Sequence, residues 1–201
     1  MLIDPQTSEA RHVSSLFKSL VVPRPIGWIS TIDAEGRANL APYSFFNAID
    51  DAPPLVMFSS NGFKDSAANA VSSREFVVNI VTERLAEAMN ATAAPLPAGT
   101  SEFEHAGIAS LPSTHVAPPR VRDAAASLEC KVVSIQQISD MNGTPLETYM
   151  IIGQVVAIHV ADHLLGTNGR VDLLKDVPIG RLGGPNYVAV REAFALARPV
   201  R

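Results

Sequence analysis

Small polar side chains follow several apolar stretches in the first third of the chain, at the points where these stretches end. They belong to Ser30, Thr31, Ser44, Asn47, Ser59, Ser60, Lys64, Asp65, Ser66 and Asn69. Any single serine at a strand end is most simply a turn or capping residue, but that role explains the whole cluster less well. The concentration of these residues therefore favours a binding site.

The segment that starts at Lys64 has the features of an anion-binding helix end. We expect Asp65 or Ser66 to cap the helix that follows. Backbone N–H groups and the positive end of the helix dipole would then face the end of the preceding strand. An anion would bind there, with Lys64 as its charged partner.

Two aromatic residues, Phe45 and Phe46, lie beside this cluster in the sequence and would point to opposite faces of a strand. Two core aromatics would explain them fully, yet an apolar wall beside an anion site also suits a phosphorylated, flat, aromatic cofactor. Burial of roughly 200 Å² of ring surface gains about 5 kcal/mol at about 25 cal/mol/Å². Micromolar affinity needs about 8 kcal/mol, so the polar cluster would have to supply the remainder.

The composition and the motif content exclude several classes of function. Hydrophobic residues make up 47% of the 201 residues and charged residues 18%, as in an ordinary globular protein. The net charge of -4 is too small to predict a nucleic-acid partner. There is no Walker, G-x-G-x-x-G, H-E-x-x-H or G-x-S-x-G motif, and the five histidines lack metal-ligand spacing. A small molecule or a protein is the expected partner, without a metal site.

Three further side chains could do chemistry in principle. Cys130 is the only cysteine, so no intrachain disulfide can form, and its alternating apolar flanks indicate a packed strand residue rather than a nucleophile. His159 and His163 could donate protons, but their place at a strand end favours surface or packed histidines.

The first residues, MLIDPQTSEARHV, carry acidic residues where a signal peptide has a basic start and an apolar run. No later stretch reaches the roughly 18 apolar residues of a membrane helix. We therefore expect a soluble, cytoplasmic protein without membrane contact.

The elements that would position the polar cluster are mostly β-strands. A first helix is predicted over residues 7–20, with Thr7 or Ser8 as its N-cap. The turn sequences Asp33–Gly36 and Asp140–Gly143 predict two antiparallel hairpins. The remaining pattern indicates strands at 26–32, 37–43, 55–60, 75–81, 127–139 and 146–161, and helices at 65–74 and 82–93.

The run from Tyr149 to Val160 is apolar on both faces except at Gln154 and His159, which predicts a central strand. Six or more antiparallel strands with few helices indicate a closed or nearly closed barrel, because closure removes exposed sheet edges. A sandwich is the alternative. We predict a single domain over residues 1–201, with the barrel at about 25–190.

Eight sequence blocks occur in a recognisable order between Val21 and about Val190. They are VVPRPIGWIST, NLAPYSFFNAI, PPLVMFSS, FKDSAANA, EFVVNIV, GTSEFEHAGI, SLECKVV and VPIGRLGGPNYVAV. Together they resemble the flavin reductase-like family of FMN-binding split-barrel proteins. Ser66 stands where the family more often has threonine, and this difference keeps the hydroxyl group. The resemblance implies a mainly β fold with peripheral helices, an antiparallel split β-barrel.

The resemblance also implies a homodimer with FMN, or alternatively FAD, near the dimer interface. Gly183 and Gly184 would form either a simple turn or a place where the backbone approaches the flavin ring. The implied cofactor-binding residues are Arg24, Thr31, Ser44, Phe45, Asn47, Ser59, Ser60, Lys64, Asp65, Ser66, Asn69, Arg181 and Tyr187.

The implied activity is that of an oxidoreductase, a flavin reductase that uses NADH or NADPH. Hydride transfer would occur between the two cofactors, so no catalytic side chain is required. The electrons would pass to free flavin, to a partner monooxygenase or to iron. Two other functions remain open: an FMN-binding electron-transfer protein without its own nicotinamide site, and a protein-interaction module without a cofactor.

Overall fold

The computed structural model describes residues 1–97, 99–167 and 169–199 and consists mainly of antiparallel strands with short helices around them. The helices are α1 (Ala10–Leu20), α2 (Asp65–Ser73), α3 (Ala86–Ala91) and α4 (Glu102–His105), with 3₁₀ helices at Glu83–Leu85, Asp162–Leu164 and Leu173–Asp176. The strands are β1 (Arg24–Pro25), β2 (Gly27–Ile32), β3 (Ala38–Tyr43), β4 (Phe46–Asp51), β5 (Pro54–Asn61), β6 (Glu75–Ile80), β7 (Ser110–Leu111), β8 (Arg120–Val121), β9 (Ala126–Ser139), β10 (Pro145–Val160), β11 (Ile179–Arg181) and β12 (Tyr187–Ala189). None of the helices in these residues combines the length and the hydropathy that a membrane span requires.

Seven strands form the main sheet in the order β3-β2-β6-β9-β10-β5-β4, and every neighbouring pair is antiparallel. Within the described residues no ladder joins the outer strands β3 and β4, so the sheet stays open between them. The predicted barrel is therefore split rather than closed. A small β1-β11-β12 sheet and the β7-β8 pair complete the strands.

Both predicted hairpins are confirmed. Strand β2 pairs with β3 from Gly27 opposite Tyr43 to Ile32 opposite Ala38, and Gly36 in the turn has the predicted left-handed conformation with φ +82°. Strands β9 and β10 form the longer hairpin. Strand β10 lies between β9 and β5, as its two apolar faces predict.

Alternating side chains of β2 contribute to two separate hydrophobic clusters. Ile29 packs in one cluster with Phe58 and Phe76, whereas Trp28 packs in the other with Leu40. Because successive strand residues point to opposite faces, the two clusters lie on the two sides of β2. The sheet is therefore covered on both faces here.

Cys130 is fully buried in the cluster that contains Phe58 and Phe76, which confirms its interpretation as a packed strand residue. Burial raises the pKa of the thiol, and the nearby Glu129 carboxylate raises it further. The thiol stays protonated at neutral pH, and a buried protonated thiol is a poor nucleophile.

Helix α1 begins later than predicted. Its first residue is Ala10 and Glu9 holds the N-cap position without a side-chain cap, so neither Thr7 nor Ser8 caps the helix. The N–H groups of these two residues instead donate to the Asp4 carbonyl, at 3.3 and 3.0 Å. A turn at Asp4 therefore displaces the helix start.

The helix predicted over residues 82–93 is divided into the 3₁₀ helix Glu83–Leu85 and the shorter α3. Thr82 forms a β-bridge with Pro178, and the Glu83 N–H donates to the Val177 carbonyl at 3.0 Å. The start of the segment is thus held by residues near the C-terminus, which prevents one continuous helix.

Candidate functional site

Helix α2 presents its N-terminus at the end of β5, as the sequence predicts, but a different residue occupies the N-cap. That residue is Lys64, in an extended conformation and without a side-chain cap, and Asp65 is the first helical residue. Neither Asp65 nor Ser66 is therefore the N-cap. The first bond of the helix runs from the Ala68 N–H to the Lys64 carbonyl at 2.9 Å, so the N–H groups of the first turn of α2 have no acceptor within the helix.

A cavity of about 540 Å³ opens in front of this helix end. Lys64, Asp65 and Ser66 line one side of it, and β3 lines another. The third side is the proline-rich loop Thr92–Pro97. We call this space the larger cavity. It combines backbone donors, one lysine and an apolar loop, which are the components expected of a site for a phosphorylated ligand.

Polar side chains on β3 connect the barrel to the helix end. Asn39 and Ser66 are hydrogen-bonded through the side-chain amide and the hydroxyl at 2.8 Å. Burial raises the pKa of Tyr43, and its interactions with the hydroxyl groups of Ser66 and Ser60 oppose that shift in part. The Ser66 hydroxyl is therefore held by the barrel, and Ser66 itself is the second residue of α2 rather than its N-cap.

The loop side of the larger cavity is fixed by one buried hydrogen bond. The Trp28 indole Nε1 donates to the Thr92 Oγ1 at 2.9 Å, and both residues are buried. Thr92 in turn donates its hydroxyl to the Met89 carbonyl at 2.7 Å. The start of the Thr92–Pro97 loop is thereby tied to the hydrophobic cluster around Trp28.

A second space of about 240 Å³, the smaller cavity, adjoins the larger one, since Pro42 and Ala93 line both. Ser44, Arg181 and Tyr187 supply its polar wall. The Arg181 guanidinium lies 4.4 Å from the centroid of the Tyr187 ring and donates to the Tyr187 hydroxyl and, at 2.7 Å, to the Gly184 carbonyl. The two cavities thus adjoin, and each has a basic residue on its wall, Lys64 in the larger cavity and Arg181 in the smaller one.

Comparison with known proteins identifies the family of this fold and site. The model of the flavin reductase like domain matches residues 19–174. The chain belongs to this family. Its fold is that of a split barrel. Membership of this family supports a function as a flavin-related oxidoreductase.

Two solved structures resemble this flavin reductase like domain along nearly its whole length. Nitrilotriacetate monooxygenase component B from Bacillus cereus is 34% identical with a TM-score of 0.92, covering 98% of each chain. The 2-nitrobenzoate 2-nitroreductase from Pseudomonas fluorescens is 33% identical with a TM-score of 0.88, covering 99% of this chain and 96% of that one. A split-barrel protein from Shewanella frigidimarina, 23% identical, shares the fold with a TM-score of 0.87 over 99% and 100% of the two chains.

The structure brings six of the predicted site residues of the flavin reductase like domain into the two cavities. Lys64, Asp65 and Ser66 line the larger cavity, and Ser44, Arg181 and Tyr187 line the smaller one. Two more lie outside both cavities but contact each other, because the Asn69 amide on α2 donates to the Thr31 hydroxyl on β2 at 3.2 Å. That bond joins α2 to β2 and so orients the helix end.

The other predicted residues line neither cavity. Ser60 is buried and donates its hydroxyl to the Gly62 carbonyl at 2.8 Å, and the Ser59 N–H donates to the Phe45 carbonyl at the same distance. Asn47 is exposed on the outer strand β4. Phe45 precedes that strand and is 42% exposed, whereas Phe46 packs against the core.

Arg24 lies at the junction of α1 and the segment after β11. It is 6% exposed and donates to the Lys18 and Val21 carbonyls, at 2.5 and 2.8 Å, and to the Leu182 carbonyl at 3.0 Å. Gly183 also contacts α1 closely, because a Cβ added there would lie 2.2 Å from the Ser19 Oγ. The close approach at Gly183 is thus to a helix of the protein itself.

Both histidines considered as proton donors pair with carboxylates away from the two cavities. His159 Nε2 lies 2.6 Å from the buried Glu129 Oε1, and His163 Nε2 lies 3.8 Å from the Asp176 Oδ2. These pairings fit the interpretation of both as packed or surface histidines.

Sequence reasoning missed several residues that line the larger cavity: Asn39, Ala41 and Tyr43 on β3, Thr92–Pro97, and Glu102 on α4. A signal existed for the first three, because alternate residues of a strand share one face. Glu102 had no such signal. It is buried, and its Oε2 accepts the Leu40 N–H at 2.9 Å.

Proposed function

We propose that this flavin reductase like domain binds FMN and catalyses its reduction by NADH or NADPH. The observation that carries the proposal is the free helix end of α2 with Lys64, which opens into a cavity that continues to a second, partly apolar one. A phosphate at one end and a flat ring at the other match this division. FAD is the alternative flavin.

In this proposal the backbone N–H groups at the start of α2 and the Lys64 ammonium hold the phosphate. Asp65 and Glu102 also line the larger cavity, and their carboxylates would repel a phosphate placed against them. They are suited instead to accept hydrogen bonds from the hydroxyl groups of the ribityl chain. The hydroxyl of Ser66, already fixed by Asn39, would orient that chain further.

The ring would extend along Pro42 toward the smaller cavity, where Ser44 and Tyr187 could contact its polar edge. Bound flavin would supply the redox chemistry, accepting a hydride from the nicotinamide. The protein would contribute alignment and exclusion of water, with the Thr92–Pro97 loop covering one side. No side chain is required as an acid or a base.

A homodimer with the flavin near its interface is part of the proposal. Helix α1 has no buried residue, and its apolar side chains Phe17 and Leu20 are 55% and 78% exposed. Phe45, which follows the smaller-cavity residue Ser44 in the chain, is also exposed. A second copy of the chain would cover such surface, since exposed apolar patches commonly mark interfaces.

The electron acceptor is proposed from the relatives. One similar protein is component B of a nitrilotriacetate monooxygenase and another is a 2-nitrobenzoate 2-nitroreductase. Delivery of electrons to a partner monooxygenase, or to a free small acceptor, would be consistent with these two names. The protein would then act in the cytoplasm, beside its nicotinamide supply.

The test is the absorbance spectrum of the purified protein with and without added FMN, followed by anaerobic titration with NADH and NADPH. We expect flavin absorbance and its bleaching by at least one nicotinamide at a catalytically useful rate. Absence of any FMN binding would refute the proposal. Binding without bleaching would favour an electron-transfer protein that lacks a nicotinamide site.

A further inference from the structure

Two arginines lie opposite each other on paired strands of the small sheet. Strand β1 pairs with β11 so that Arg24 lies directly opposite Arg181. Four other arginines, Arg37, Arg84, Arg122 and Arg191, form ion pairs with acidic side chains. Among the described residues, no ion pair with an acidic side chain is formed by Arg24 or by Arg181.

This arrangement is unfavourable in the protein alone. Like charges directly opposite each other on paired strands destabilise a sheet, and the cost rises where solvent is excluded. Burial and the neighbouring charge of Arg181 both lower the pKa of Arg24. An anion bound near the pair would offset that repulsion.

The Arg24 side chain is held in place by hydrogen bonds to the backbone. Its terminal nitrogens donate to three backbone carbonyls, so the guanidinium cannot turn away, and its buried Nε has no hydrogen-bond partner within the described residues. Its charge is therefore fixed on the strand opposite Arg181, and no acidic side chain in the part of the chain that the structure describes pairs with it. Arg24 acts as a positioning residue in this arrangement.

Arg181 presents the charge to the smaller cavity. Its guanidinium stacks on the Tyr187 ring and is anchored by the Tyr187 hydroxyl and the Gly184 carbonyl. A guanidinium has five N–H donors in a planar fork, so donors remain for a ligand after these bonds. Ser44 and Asn90 add further polar groups to the same cavity.

We infer that Arg181, supported by the charge of Arg24, binds the anionic group of the second substrate, the molecule that exchanges electrons with the flavin. The inference rests on the proposed function for the flavin itself. The ligand chemistry is a phosphate or carboxylate, which a planar guanidinium binds through two parallel hydrogen bonds. Its source is either the hydride donor, a nicotinamide dinucleotide, or the electron acceptor.

The test compares Arg181→Gln with the charge-retaining Arg181→Lys, and with Arg122→Gln, which changes an exposed arginine elsewhere on the surface. Anaerobic flavin reduction is measured with NADH, with NADPH and with N-benzyl dihydronicotinamide, a hydride donor without an anionic group. Loss of a charge-assisted hydrogen bond predicts a fall of about tenfold to a hundredfold in kcat/KM for the dinucleotides relative to the uncharged donor. Arg181→Lys should retain part of the wild-type preference in kcat/KM for the dinucleotides over the uncharged donor. Arg122→Gln should leave that preference unchanged.

A second arm identifies the source of the anion. Steady-state turnover is measured with free FMN and with riboflavin, which lacks the phosphate, as electron acceptors. A selective loss with the dinucleotides assigns the anion to the donor, and a selective loss with FMN assigns it to the acceptor. The inference would be overturned if Arg181→Gln reduced the rate equally for the charged and the uncharged hydride donors and also equally for FMN and riboflavin.

Direct binding separates this inference from the proposed function. FMN affinity is measured in each variant, and NADH binding to the flavin-free protein is followed by the fluorescence of NADH. Failure of the wild-type protein to bind FMN would refute the proposed function by itself. Equal NADH affinity of wild type and Arg181→Gln, together with equal loss in the two turnover arms, would refute the role of Arg181 even if FMN binds normally.

Discussion

Replacement of Lys64 by alanine tests the placement of the phosphate at the start of α2. Among the described residues, Lys64 is the only lysine that lines the larger cavity, and the backbone N–H groups of α2 remain after the substitution. We therefore expect weaker FMN binding rather than its abolition. Riboflavin has no phosphate, so its affinity should not change.

The expected change in FMN affinity depends on how exposed the Lys64 side chain is to solvent. A hydrogen bond to a charged group contributes about 1.5 to 3 kcal/mol where it is protected from solvent. Lys64 is exposed, and screening reduces such interactions toward about 1 kcal/mol. We expect the Kd for FMN to rise by roughly fivefold to tenfold, since about 1.4 kcal/mol corresponds to a factor of ten.

The assay is titration of the flavin-free protein with FMN and with riboflavin, followed by quenching of flavin fluorescence. Lys64→Arg keeps the charge and should stay close to wild type. Lys131→Ala removes an exposed lysine from strand β9, outside the larger cavity, and serves as the matched control. Added salt should weaken FMN binding by the wild-type protein more than by Lys64→Ala. Equal weakening of FMN and riboflavin, or no change for FMN, would refute the assignment of the phosphate to this helix end.

Two further predictions concern stability. Gly183→Ala should lower the thermal unfolding midpoint, because the new Cβ would lie 2.2 Å from the Ser19 Oγ and α1 would have to shift; an unchanged midpoint would show that the contact is not tight. Burial alone would raise the pKa of Glu129, but the N–H groups of Thr114 and His115 and the nearby imidazole lower it overall. Because the folded-state pKa is below the unfolded value of about 4.3, this carboxylate stabilises the fold above that pH, and its contribution is lost as the pH falls through the folded-state pKa. Urea unfolding between neutral pH and about pH 3 should show a smaller acid-induced loss of stability for Glu129→Gln than for wild type, and parallel losses would contradict the expected linkage.

Local patterns predicted the parts of the fold that local interactions determine. The turn Asp33–Gly36 gave the β2-β3 hairpin because a glycine with positive φ fits a short loop between strands. The helix after Lys64 was likewise predicted from its own residues. The predicted start of α1 was wrong because the N–H groups of Thr7 and Ser8 donate to the Asp4 carbonyl. Residue propensities do not indicate that Asp4 accepts these bonds.

The loop side of the site depends on contacts between distant parts of the chain. The Thr92–Pro97 loop lines the larger cavity because the Trp28 indole holds Thr92 in a buried hydrogen bond. In the sequence this loop is a proline-rich, irregular stretch, and such stretches indicate only that a helix or strand is interrupted. Its place beside α2 follows from tertiary packing, which a single sequence does not display.

The paired arginines show the same limit in a sharper form. Strand β1 has two residues and β11 has three, too few for an alternating pattern to predict their pairing. The charge at the smaller cavity thus arises from a tertiary contact, whereas the charge at the larger cavity lies in a local motif around Lys64. A site that contains both Lys64 and Arg181 can bind one ligand through its phosphate and a second ligand through another anionic group. In the proposed function, this separation of two positive charges would allow the protein to hold a flavin and still admit a charged electron donor or acceptor beside it.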